Sequence, residues 1–189
     1  MAGTPVLLGI TAQALSVRLD GDYFQVTAPN LDFLTGKPLQ RLRDGSTVNY
    51  LGQFSILTGD TRVVRARSIA RFAVSHDIWE EMSRGFSVTL ITSNSGKRPS
   101  IRNLTPAAAQ SWCLDQLKIN LSQVPSDRPF WVRLEIRSED KPDRGIVGEP
   151  GISLSGLIAI FSRPVKDEQF HWYKEDGPFN LTDLRKPRS

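Results

Sequence analysis

Thr61–Ile78, TRVVRARSIARFAVSHDI, alternates between two kinds of side chain for longer than any other part of the sequence. Counted in twos, one set is Val64, Ala66, Ser68, Ala70, Phe72, Val74 and His76, which is small and mostly apolar. The other set is Val63, Arg65, Arg67, Ile69, Arg71, Ala73 and Ser75, which carries three arginines. Successive side chains on a strand point to opposite faces, so this spacing predicts a long β-strand with one apolar wall and one basic wall. A helix would scatter the same residues around its circumference. The expectation is that the apolar wall meets a core and the arginine wall meets water.

A chain that begins from such a strand needs partners, and the sequence offers several. Leu15–Thr27 is two short alternating runs around Asp20-Gly21-Asp22, where an Asp-Gly pair suits a tight hairpin. Ser46–Thr58 alternates Val48, Tyr50, Gly52, Phe54 and Ile56, and Gly59-Asp60 turns it into the arginine strand. Glu80–Gly85 interrupts the pattern before Phe86–Thr92 resumes it, and Ser93–Ser100 has loop composition. Pro129–Ser138 places Phe130, Val132, Leu134 and Ile136 on one side and Trp131, Arg133, Glu135 and Arg137 on the other. Ile152–Phe161 is apolar on both sides and is expected to be a central strand.

Helices are few. Thr35 to Gly45 has a cap residue, Leu39 and Leu42 on one side, and a terminal glycine, which predicts two turns. Thr105-Pro106 opens a longer segment without a breaker, expected to be helical from about Thr105 to Leu121 and packed on a sheet. Glu139–Gly151 is a long loop with two prolines and three glycines, of the kind that carries function or stays irregular.

At 189 residues the chain suits one domain, large enough to bury a core without disulfides or metal. It has a single cysteine, Cys113, so no intrachain disulfide forms. No run approaches the roughly 18 apolar residues of a membrane helix. A net charge of +4 is spread along the chain, which permits contact with phosphate or anionic lipid without demanding it. The organisation expected is residues 1–14 as a partial export signal or a disordered N-terminus, 15–162 as a β-sandwich, and 163–189 as an extended tail docked in part. The first of these rests on Pro5–Ala14, an apolar run ending in Ala12-Gln13-Ala14, the small-residue pattern that precedes cleavage of secretory signals. A first strand near Leu7 is the alternative.

The motifs of common chemistries are missing. The sequence has only two histidines, His76 and His171, which is too few for a histidine-rich zinc site, and no metal or cofactor is expected. His76-Asp77 with Glu80-Glu81 reads as a strand end entering a charged turn. Gly151-Ile-Ser153-Leu-Ser155-Gly156 approaches a nucleophile elbow, but its second glycine falls one place late. Catalysis is not expected. The candidate site is instead a binding face: if neighbouring strands pair in register, Arg65, Arg67 and Arg71 join Arg133 and Arg137 with Trp131 between them, a basic surface with an aromatic for anionic polymers.

Four segments together resemble a family of exported or membrane-anchored bacterial proteins of unknown function, with a signal sequence and a β-rich envelope domain. They are GKPLQRLRDGSTVNYLGQFSIL, ARSIARFAVSHDIWEEMSRGFSVTL, the alanine-rich helix opening at Thr105, and PFWVRLEIR. The resemblance implies a compartment and a fold type but assigns no residue a role. The expectation is a mainly antiparallel β-sandwich of seven or eight strands with one helix packed on it. It would be a non-enzymatic interaction module of the bacterial envelope, its partner another envelope protein rather than nucleic acid. The alternatives are an anionic-ligand or single-stranded nucleic-acid binder using the arginine face, and a carrier of an apolar ligand.

Overall fold

The computed structural model describes residues 15–79, 82–91, 98–139 and 169–185, together with Ile158, Phe161, Ser162 and Pro164. In chain order the elements are β1 (Ser16–Asp20), β2 (Tyr23–Thr27), α1 (Gly36–Arg43), β3 (Val48–Thr58), β4 (Val63–Trp79) and β5 (Met82–Ile91). They continue with β6 (Ser100–Leu104), α2 (Pro106–Asp115), β7 (Lys118–Asn120), β8 (Phe130–Glu139), β9 (His171–Phe179) and a single turn α3 (Leu181–Leu184). The strands form two antiparallel sheets, one in the order β1-β2-β7 and one in the order β6-β5-β4-β3-β8-β9. The fold is a mainly antiparallel β-sandwich.

Alternation decides which side of the large sheet is the core. Tyr50, Phe54 and Ile56 of β3, Ala66, Ala70, Phe72 and Val74 of β4, and Phe130, Val132, Leu134 and Ile136 of β8 are all buried in one cluster. Phe24 and Val26 of β2 enter that cluster from the small sheet. The contact between sheets is aromatic: Phe24 stacks on Phe54 at 5.8 Å and meets Phe130 edge-on at 5.6 Å, geometries favoured by the ring quadrupoles. Helix α2 lies between β2 and β5 with Ala109, Cys113 and Leu114 buried, its N-terminus capped by Thr105, whose Oγ1 accepts from the Ala108 N–H.

Several expectations need correction. The α2 helix ends at Asp115 instead of continuing to Leu121, because Ile119 is needed as a strand residue opposite Phe24 in the small sheet. The interruption expected at Glu80–Gly85 is smaller, since β5 already begins at Met82 and pairs with Trp79; Glu80 and Glu81 lie outside the described residues. Residues 171–179, expected in an extended tail, form the edge strand β9, which pairs with β8 from Phe130–Phe179 to Arg137–His171. The described strands number nine rather than seven or eight. Of the expected strand Ile152–Phe161, only Ile158 and Phe161 are described, and both are helical; the Ser162 hydroxyl donates back to the Ile158 carbonyl. The rest of that segment, most of the Glu139–Gly151 loop and residues 1–14 lie outside the described residues.

One glycine sets the thickness of the sandwich. A Cβ at Gly52 would sit 2.8 Å from Leu117 Cδ1 and 3.1 Å from Ile136 Cδ1, so β3 lets the Leu117 side chain reach its backbone. Gly52→Ala is expected to destabilise the fold by about 1–3 kcal/mol through overpacking, read as a lower urea midpoint with an unchanged m-value.

Candidate functional site

The proposed arginine face exists, but its interior is not a solvated surface. Strand register puts Arg67, Ser55 and Arg133 in one row across β4, β3 and β8. Two residues along, Ile69, Gln53 and Glu135 make the next row, and Arg71, Leu51 and Arg137 the one after. Trp131 flanks Leu57 at the other end. The centre of this face is dry: Leu51, Ser55 and Leu57 are fully buried, and Arg71 and Arg137 are only 8% and 5% exposed. The expectation that this wall meets water is therefore overturned for its middle rows. The flanking side chains differ along the strand: Leu51 lies between Arg71 and Arg137, whose heads are paired with acids, and Leu57 between Val64 and Trp131.

Those heads are neutralised by acids on the same face. Arg71 Nε donates to Glu139 at 2.6 Å, with both side chains nearly buried. Arg137 donates to Glu135, which also contacts His171 Nε2 at 3.0 Å. Glu175 receives Arg133 and Arg62, each at 2.8 Å. Arg62, which sequence reasoning left out, holds its guanidinium 3.5 Å from the Trp131 ring. Its φ of 54° closes the Gly59–Arg62 turn and aims the side chain back over β8. Beside Arg137 the face is capped by Phe161, whose ring lies 4.8 Å from the guanidinium and whose carbonyl accepts from Nη2 at 3.1 Å.

Two members depart from this pattern. Arg65 leaves the row because a bulge at Ile56/Leu57 sets Ala66 opposite Ile56 and Val64 opposite Leu57, skipping Arg65. Its Nε donates instead to Thr58 Oγ1, on the core-side parity of β3. Arg67 stays in the row and has no ion pair among the described residues. It stands beside the buried Ser55, whose Oγ lacks a hydrogen-bond partner, as does Oε1 of the neighbouring Gln53. No pattern in the sequence distinguishes Arg67 from Arg71; only the position of the acids across the sheet does.

A second feature was not legible as a site. His76, at the end of the apolar wall, stacks on Phe86 with ring centroids 4.8 Å apart. Together they line a cleft of about 560 Å³ whose floor includes Leu34, Leu39 and Leu104 and whose rim includes Arg43, Asn103 and Thr105. Asn103 holds a φ of 59°, and a Cβ at Gly85 would approach the Leu104 carbonyl to 2.7 Å, so the backbone walls are tightly specified. Three exposed cations sit on or near this rim and along β6, namely Arg43, Arg98 and Arg102, none in an ion pair among the described residues.

Other reactive groups are built into packing. Cys113 is fully buried, and burial pushes its thiol pKa well above the ordinary value, which keeps it protonated. Burial likewise raises the Tyr50 hydroxyl. Among the described residues no three His, Cys, Asp or Glu side chains stand close enough to hold a metal ion. Ser153 and Ser155 lie outside the described residues. Among the described residues no helix is long and apolar enough to cross a membrane. No protein-family model, no curated protein and no solved structure matches this chain.

The two in-register arginines provide an internal comparison. Arg71→Met removes the guanidinium that pairs with Glu139 at 2.6 Å while keeping an unbranched stem, and is expected to cost about 3 kcal/mol. Arg67→Met removes no ion pair and is expected to stay within about 0.5 kcal/mol of the parent protein in urea unfolding. Equal effects would mean that pairing does not set the stability of this face. A pH dependence follows from Glu175. Burial pulls its carboxyl pKa upward, but hydrogen bonds from Arg133 and Arg62 outweigh this and hold it below the ordinary value. A depressed carboxyl contributes stability that is complete above its unfolded pKa of about 4.3 and is lost as pH falls through the folded value. Glu175→Gln is expected to lower stability at neutral pH and flatten its decline below about pH 4.3, as read from urea midpoints across that range.

Proposed function

We propose that this chain is a non-enzymatic interaction module of the bacterial cell envelope, which meets an acidic partner protein through its cleft and the β6 edge. One observation carries the reading: the basic groups divide into two populations. On the broad face Arg62, Arg71, Arg133 and Arg137 are matched by Glu135, Glu139 and Glu175 and locked to them. Arg43, Arg98 and Arg102 have no ion pair among the described residues; Arg43 lines the cleft, Arg102 lies on β6, whose Asn103 and Leu104 also line it, and Arg98 just precedes β6. An apolar centre with a charged rim is the usual anatomy of a protein–protein contact, and unmatched cations on the rim favour acidic partners. The small-residue pattern at Ala12-Gln13-Ala14 supports the compartment. Glu135, Glu139 and Glu175 are held in ion pairs and the Cys113 thiol is buried, which favours binding over catalysis at the broad face.

A second reading, a site for a small anionic ligand, is favoured by Arg67, which forms no ion pair among the described residues and stands opposite Ser55 on the face.

Crosslinking of the tagged full chain in intact bacteria, followed by fractionation, tests both. The expected result is a crosslinked envelope protein that is lost on Arg43→Glu with Arg102→Glu and retained on Arg67→Glu. A full chain confined to the cytoplasm with Met1 intact, or a crosslink indifferent to the Arg43 and Arg102 changes, overturns the leading reading. Binding of a single-stranded oligonucleotide or inorganic phosphate that weakens steeply with salt and disappears on Arg67→Glu selects the second.

A further inference from the structure

Leu15 and Asp176 lie 161 residues apart and belong to different sheets, yet the Leu15 backbone nitrogen donates to Asp176 Oδ2 at 2.9 Å. The position is well defined on both sides. The Leu15 side chain is 3% exposed in the core, and Ser16 immediately opens β1 opposite Thr27. Asp176 sits in β9 opposite Val132, and its Oδ1 accepts from the Gly177 N–H at 2.8 Å.

The charge on Asp176 is the unexplained part. Its neighbour Glu175 gathers two guanidinium groups, whereas Asp176 is held by two neutral backbone N–H groups and forms no ion pair among the described residues. Such a half-buried carboxylate has its hydrogen bonds but lacks a counter-charge. The residue whose nitrogen it holds directly follows Ala12-Gln13-Ala14, the pattern that places small side chains one and three residues before a secretory cleavage point.

We propose that the Ala14–Leu15 bond is a processing site and that Asp176 is the receptor for the α-ammonium created there. A peptidase specific for small residues would hydrolyse this bond with one water. The new carboxylate leaves with Ala14, and the new amine remains on Leu15, protonated below its ordinary pKa of about 8. At 2.9 Å from Oδ2 the same hydrogen bond then becomes charge-assisted, and it ties the first residue of the small sheet to the edge strand of the large one. Because Leu15 is buried in the fold, cleavage precedes folding, as it does for a chain in transit. The inference rests on the envelope reading for its compartment, but the pairing itself is independent of where the protein is made.

The test uses three forms: the full chain from Met1, a form beginning at Ala14, and a form beginning at Leu15 released from a fusion with nothing left ahead of it. Each is compared with its Asp176→Asn variant by urea unfolding. Asn retains an acceptor and differs in charge. The expected result is that Asp176→Asn lowers the folding equilibrium constant about fivefold more in the Leu15 form than in the other two. An equal effect in all three overturns the pairing. Intact mass of the tagged protein from an envelope fraction gives the second readout, with Leu15 as the expected first residue. An exported protein with another first residue overturns the processing site while leaving the envelope reading in place. A cytoplasmic protein with Met1 intact removes the reading on which the processing site rests.

Discussion

Strand β3 is buried on both faces, and the rest of the structure answers that constraint. On one side Tyr50, Phe54 and Ile56 join the main core; on the other Leu51, Ser55 and Leu57 are just as inaccessible. A strand with two dry faces needs cover from two directions. The small sheet and the turn after α2 supply it on the core side, through Phe24 and Leu117. On the other side the flanking residues of the neighbouring strands are Arg71 and Arg137 beside Leu51, and Val64 and Trp131 beside Leu57. Long aliphatic stems with charged tips can provide cover without leaving apolar surface in water, provided that the tips find partners.

The tips find them in acids presented by β8 and β9. Arg71 with Glu139, Arg137 with Glu135, and Arg133 with Arg62 on Glu175 make a layer that is polar in composition and packed in behaviour. Partly buried pairs of this kind contribute little net stability compared with apolar replacements, yet each is costly to break singly. They are better understood as holding register: a slip of one residue between β3 and β8 would move Arg133, Glu135 and Arg137 to the opposite face. What this layer does not do is offer a continuous basic surface to a polymer. Among the described residues, Arg67 on the face, Arg43 at the cleft, Arg102 on β6 and Arg98 just before it form no ion pair.

Reading residues in twos was sufficient to find β1 through β4 and β8, and Tyr50, Phe54 and Ile56 of β3, Ala66, Ala70, Phe72 and Val74 of β4 and the named inward residues of β8 are buried as expected, although β3 is buried on its other face as well. It failed where local pattern and tertiary need diverge. Leu117 and Ile119 follow α2 without a breaker, so they read as helix; only the vacancy beside Phe24 makes Ile119 a strand residue. His171–Phe179 has mixed polarity and two special residues, Gly177 and Pro178, so it reads as tail; the free edge of β8 makes it a strand. The cleft was invisible because its walls come from α1, β4, β5, β6 and the start of α2, and nothing in the chain marks those segments as neighbours.

The amino-acid order by itself determined that this chain would be antiparallel β with an apolar wall and an arginine wall on its longest strand, because period-two alternation is a property of local backbone geometry. It also determined that those arginines share a strand with no acid among them. Tertiary structure alone decided whether each would meet water, a carboxylate or nothing. That depends on which residues β8 and β9 bring across the sheet, and a skipped residue at one bulge is enough to take Arg65 out of the row. Charge pairing acts over a few ångströms in space, and distance along the chain carries almost no information about it.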